Sequence, residues 1–225
     1  MHRSCRPAVF QLILTGGNPV ILCVRPSTIM KTETVQLKLD RESILAADPW
    51  TAIEPVWWTG NIYDGVEAYN RSLSQFSRPQ RHVFAIMWYR SEVDNGGHDQ
   101  FFSNSTGIVW QDALNGFRSM NADDFAAVLE SAASRFPDMP SFDRETRQQQ
   151  MAGLTNDFAE EDDRFYDLDN GAMIDELLTA YIRQNADAFT FDGMIERAVF
   201  PKTLEQIKGE QSGEPEPPTA PDLKS

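Results

Sequence analysis

A chain of 225 residues that is 41% hydrophobic and 11% aromatic can bury the core of one large domain, which excludes a disordered acidic chain. A net charge of −14 repels nucleic acid and membrane surfaces and attracts basic partners. Cys5 and Cys23 are the only cysteines, so no disulfide or thiolate-metal framework holds the core, which fits a reducing cytoplasm.

The charge is uneven. Residues 1–30 carry Arg3, Arg6 and Arg25 and no acid. Residues 121–196 hold 18 acids against 5 bases, a net of −13, so most of the excess sits in this stretch.

At the N-terminus two apolar runs, Ala8 to Leu14 and Val20 to Val24, are separated by Gly16-Gly17-Asn18-Pro19. Neither is long enough to span a bilayer, and the interruption is unlike a signal peptide. Charge and cysteine usage both change near Met30, which points to Met30 as the natural start and to residues 1–29 as an upstream extension.

Residues 31–39 alternate polar and apolar and read as a short extended arm. A helical pattern starts at Arg41 and breaks at Asp48-Pro49. In the aromatic, proline-interrupted segment Trp50 to Trp58, Trp57 and Trp58 read as core anchors. Ile62, Val66, Tyr69, Leu73 and Phe76 recur at helical spacing, and Pro79 sits where a new helix starts. That helix runs through Val93 and ends at Asn95-Gly96-Gly97, where a left-handed cap is accessible. A short Gln100-Phe101-Phe102 turn follows, then a helix over 108–120 with Ile108, Trp110, Leu114 and Phe117 inward.

Asn121 is the expected N-cap of a helix reaching Arg135, with Asp123 and Asp124 in its first turn. Helices are expected over 143–154, 156–166, 171–188 (with Met173, Leu177, Leu178, Tyr181 and Ile182 at helical spacing) and 195–207. From Gly209 the chain is rich in Pro and Glu without apolar period and reads as a disordered tail.

Two stretches are dense enough to suggest chemistry. In the first, Glu92, His98 and Asp99 lie close together. Metal sites of this kind usually need three or four ligands and the chain has only three histidines, at 2, 82 and 98, so the stretch Asn95, Gly96, Gly97, Gln100, Phe101, Phe102, Asn104 and Gly107 reads as architecture. Its tight reversals flank a phenylalanine plug, with Gln100 and Asn104 satisfying exposed helix ends. The second runs from Asp157 to Gly171. As a calcium loop it fails: with Gly171 at the invariant glycine, Tyr166 and Leu168 stand where acids are needed. Instead Phe158, Phe165 and Leu168 are expected inward and Glu160, Glu161, Asp162, Asp163, Asp167 and Asp169 outward, six carboxylates whose mutual repulsion argues for a use.

The stretch from Glu92-Val93 to Gly107, with its Asn-Gly-Gly and Gln-Phe-Phe-x-Asn-Ser elements, resembles a bacterial family of DNA-mimic proteins, a domain of unknown function. So do Phe136-Pro137, an arginine at Arg144 or Arg147, the run Phe165-Tyr166-Asp167-Leu168-Asp169, and Tyr181-Ile182-Arg183-Gln184-Asn185. The resemblance covers about residues 50–190, and His98 departs from it where the family carries Phe. It implies an all-α fold, a homodimer, and an acidic face that imitates DNA toward a helix-turn-helix transcription factor.

Together these readings give an all-α, single compact multi-helix domain over 31–208, a short N-terminal extended arm and a disordered tail over 209–225. The expected function is cytoplasmic binding of a basic DNA-binding protein, with no direct nucleic acid, membrane, metal, cofactor or catalysis. The expected binding surface is Asp123, Asp124, Glu130, Asp157, Glu160, Glu161, Asp162, Asp163, Asp167 and Asp169. The rival readings are an enzyme using Glu92, His98 and Asp99, and a structural or immunity-type partner whose acidity serves solubility.

Overall fold

The computed structural model describes residues 32–155 and 157–199 in full and the backbone alone at 9–15, 18–24 and 31. The expected start at Met30 and the expected disorder after Gly209 fall outside the described residues. The two early apolar runs pair as antiparallel strands, β1 (Val9–Thr15) and β2 (Asn18–Val24). Strand β3 (Lys31–Leu39) then leads into a helical body.

The fold centres on one long helix. Short helices α1 (Arg41–Ala46), α2 (Pro49–Thr59) and α3 (Val66–Ser72) precede α4 (Arg78–Ser103). Ser77 and Gln80 close a reciprocal capping box at the start of α4, with Pro79 in the first turn, where its missing N–H costs nothing. Helices α5 (Trp110–Ser119), α6 (Asp123–Ser134), α7 (Arg144–Ala152), α8 (Ala159–Asp169) and α9 (Met173–Gln184) follow. α4 packs against α2, α5, α7 and α8. At the middle of the core Tyr89 is fully buried, with Phe101, Phe117 and Phe165 meeting its ring edge-on at 5.0, 5.8 and 5.4 Å. Trp57, half-buried, stacks on Trp88 at 4.4 Å.

The fold is mostly α rather than all-α. Where a last helix was expected at 195–207, β4 (Phe191–Val199) occupies 195–199 and runs antiparallel to β3 in the register Val35 with Ile195, while 200–207 lie outside the described residues. Its side chains alternate between exposed and covered, a period of two that a short apolar count does not separate from a helix. The partner strand lies at the other end of the domain sequence, so the local pattern carries no trace of the pairing. Gln36 donates to Asp192 at 2.7 Å, and Arg197 pairs with Glu33 at 2.8 Å, across the two strands.

Four smaller expectations also change. The helix expected over 62–76 spans only Val66–Ser72, although Ile62, Tyr69, Leu73 and Phe76 are all buried. The Gln100–Phe102 segment is helical and forms the end of α4. Asn121 is left-handed (φ 55°) and reverses the chain after α5, while Ala122 caps α6. Met173 is exposed and its neighbour Ile174 is buried, because α9 turns its apolar stripe one residue further on.

Since Ile195 is the buried residue of β4, Ile195→Ala is expected to cost about 2–4 kcal/mol, and Met194→Ala, on the exposed side, within about 0.5 kcal/mol, in urea unfolding.

Candidate functional site: an acidic helix on a buried polar centre

At Gly96 and Gly97 the helical path of α4 breaks. Gly96 is extended (φ −170°) and Gly97 is left-handed (φ 69°), and the helix resumes at His98. A side chain at Gly97 would run into the Asp162 carboxylate, so the glycine supplies both a backbone conformation and an opening. Through that opening Asp162 of α8 accepts from the His98 backbone N–H at 2.8 Å and from Nδ1 at 2.6 Å.

His98 is fully buried, and its Nε2 lies 2.7 Å from the Tyr89 hydroxyl. In the tautomer whose Nδ1–H donates to Asp162, Nε2 is left to accept from the Tyr89 hydroxyl; burial pushes that phenol well above its ordinary value, with nearby Asp162 adding to the effect. Burial pushes the Asp162 carboxyl up, but the two bonds from His98 outweigh it and leave the group below its ordinary value.

Two more carboxylates of α8 also turn inward. Glu161, buried, accepts from Ser131 at 2.8 Å and from Arg135 Nε at 2.9 Å, with Arg135 Nη2 at 2.7 Å from its other oxygen. Burial raises its pKa, yet the bonds from Arg135 and Ser131 carry the net below the ordinary value. Asp169, also buried, accepts from the Ile174 N–H at 2.9 Å and pairs with Arg90 at 3.0 Å. The expected outward placement therefore does not hold for Glu161, Asp162 or Asp169: these side chains fasten α8 to α6, α4 and α9. The sequence pattern missed this because their counter-groups, Arg135, His98 and Arg90, lie 26, 64 and 79 positions away.

The outward set is smaller. Glu160, Asp163 and Asp167 are exposed on α8 with no ion pair among the described residues. Asp123 and Asp124 are exposed in the first turn of α6, where the helix dipole favours them, and Asp157 is exposed just before α8. Glu130 is exposed but paired with Arg118 at 2.7 Å. Arg90 gathers Asp94 and Asp175 at 3.4 and 2.7 Å, as well as Asp169.

The three residues of the enzyme reading do not converge. Glu92 is buried and accepts from Gln100 at 2.8 Å, Asn104 at 2.9 Å and Thr106 at 3.0 Å, so Gln100 and Asn104 serve this carboxylate rather than the helix ends. His98 belongs to the Asp162 network, and Asp99 is exposed.

The helix ends are served by Arg147, which is fully buried. Its guanidinium donates to the carbonyls of Phe102, Asn104 and Ser141, each at 2.6 Å. Burial brings its pKa down to about 10. A side chain at Gly107 would meet Arg147 Nε at 2.6 Å. Arg144, the other candidate arginine, is exposed and donates to the Ser103 carbonyl at 3.0 Å.

This arrangement defines a class: a mostly helical protein with one acidic helix, α8, whose carboxylates divide between buried, partnered positions and exposed ones. The segment 74–185 matches the family model described as DMP19-like protein. The match runs from just before α4 to the end of α9 and includes the kink, the polar centre and the acidic helix. No curated protein and no solved structure matches the chain. Among the described residues no helix is long and apolar enough to cross a membrane.

Two outcomes test the buried centre. Arg147→Met strands three carbonyls and is expected to cost about 3–5 kcal/mol by chemical denaturation, without rescue by Arg147→Lys, which lacks the planar fork. The Asp162 carboxyl is held below 3.8, so its stabilisation is present above that pH and is lost as pH falls through the lower, folded-state value. In Asp162→Asn the acid limb of the stability curve below about pH 4 should therefore be shallower than in the parent.

Proposed function

We propose that this chain is an acidic protein-binding module that works as a DNA mimic, occupying the basic DNA-contacting surface of a transcription regulator. The observation that carries the reading is the similarity of residues 74–185 to the DMP19-like family, a DNA-mimic family, in a chain whose α8 holds an outward acidic row. Glu160, Asp163 and Asp167 are exposed at i, i+3 and i+7, which places them along one side of the helix. Successive members rise about 4.5 and 6 Å along the axis, the same order as the ~3.4 Å rise per phosphate of a DNA strand.

Rigidity supports the same reading. A mimic must hold its charges where phosphates would be, and ordering a flexible acidic segment on binding would subtract from affinity. Here the inward carboxylates Glu161, Asp162 and Asp169 hold the helix that carries the outward ones. In this reading Glu92 and His98 are structural and the module has no catalytic step.

The test uses the exposed row alone. Immobilised protein is expected to capture a basic DNA-binding protein at low salt and release it at high salt, since exposed charges screen within ~8–10 Å at physiological ionic strength. Duplex DNA should compete for the captured protein, and Glu160→Lys/Asp163→Lys/Asp167→Lys should abolish capture with an unchanged melting temperature. Capture that duplex DNA does not displace would sink the mimic reading.

A further inference from the structure

At the N-terminal end of α4 the local charge reverses. A cavity of about 740 Å³ opens between the start of α4 and the outer side of α5, and Arg78, Arg81 and Arg118 all line it against a single carboxylate, Asp112. Such a concentration of guanidinium groups stands out in a chain of net charge −14. From Arg81 to Gly96 the helix rises about 22 Å, so the cavity lies well away from the kink on which α8 is seated.

The three arginines differ in what holds them. Arg81 is fixed: its Nη2 and Nε lie 2.8 and 3.2 Å from Asp112 Oδ2, which also accepts from the Tyr69 hydroxyl at 2.6 Å. This half-buried pair forms a rigid, locally neutral wall. Arg78 is exposed and has no ion-pair partner among the described residues. Among the described residues Arg118 is tied only to Glu130, in a pair about half exposed on both sides, the kind that contributes little and yields readily to a better anion. Two of the three cations are therefore available. His82, buried on the same wall, is anchored through Nδ1 to the Tyr181 hydroxyl at 3.0 Å.

We propose that this cavity binds a small molecule carrying a phosphate group, held between Arg78 and Arg118 against the Arg81–Asp112 wall. Guanidinium forks match the oxygens of a phosphate, and the volume lies within the range of about 300–1,000 Å³ typical of small-molecule sites. The overall negative field works against a long polyanion, which would have to lie across the acidic surface as well, but not against a ligand small enough to enter the cavity. The inference is independent of the DNA-mimic reading, because the two use different residues.

The experiment titrates the full chain with inorganic phosphate and with adenosine monophosphate at low ionic strength, followed by calorimetry and by amide chemical shifts. Saturable binding is expected, with the largest shifts at residues 78–82 and 115–119. Arg78→Ser/Arg118→Ser, both exposed positions, should weaken it by about tenfold or more while the circular dichroism melt stays unchanged. Tighter binding of adenosine monophosphate than of phosphate identifies a phosphorylated small molecule as the ligand class; equal binding identifies the free ion and overturns the small-molecule assignment. Absence of saturation by either probe, or equal binding by the double variant, overturns the site altogether. The Glu160→Lys/Asp163→Lys/Asp167→Lys variant should bind the probes undiminished, which separates this outcome from any failure of the mimic reading.

Discussion

Asp162 reaches His98 through a space that exists only because Gly97 has no side chain, and much of the domain is arranged around that contact. The left-handed glycine turns the last helical segment of α4 so that the His98 N–H and Nδ1 both face α8. On the other side of the imidazole lies Tyr89, around which Phe101, Phe117 and Phe165 pack. A line of polar contacts thus runs from the half-buried Asp162 to the centre of an aromatic core. Each member is satisfied by the next, which is the condition under which burying such groups is tolerable.

The same logic divides the acids of α8 into two sets with different tasks. Inward carboxylates meet Arg135, His98 and Arg90; at Glu161 and Asp162 burial, which alone would drive protons onto them, is offset by these donors. Outward carboxylates face water, where repulsion is screened. A helix with six outward acids would carry a large repulsive cost with nothing holding it down. With three turned in, the acidity itself fastens the helix, and the outward carboxylates stand on a helix that is held in place.

How much of this was legible in the sequence depends on the range of the interaction. Helix starts set by local chemistry, such as Ser77-x-Pro79-Gln80 and Asp143, stand in the sequence as written. The break at Gly96-Gly97 is legible for the same reason, and the inward positions Ile108, Trp110, Leu114 and Phe117 follow from helical period. What periodicity could not supply was the identity of distant partners. Glu161 and Asp162 are neighbours in an acidic run, and nothing within the run says that Ser131, Arg135 and His98 await them. Arg147 is one of two arginines in a polar helix, marked only by resemblance, yet it is the largest fully buried side chain among the described residues. β4 illustrates the same limit for backbone, since its register depends on a strand about 160 residues earlier.

The cluster around Arg90 joins one inward acid of α8, Asp169, to acids of α4 and α9. One guanidinium faces Asp94, Asp169 and Asp175, so charges of one sign outnumber the other. Desolvation raises the Asp94 carboxyl, Arg90 pulls it down, and Asp169 and Asp175 push it up again, so that together they leave it at about 6. Asp94 therefore takes up a proton near pH 6, and because its folded-state pKa is raised, protonation favours the folded state as pH falls. The Asp162 and Glu161 fastenings, whose pKa values are lowered, persist until pH drops below the ordinary carboxylate range. Between those limits the surface corner at Asp94 loses charge while α8 stays seated. Any partner that reads this corner would then feel a weaker field from an unchanged frame, so a loss of binding between about pH 6 and pH 4 would report on charge alone and not on unfolding.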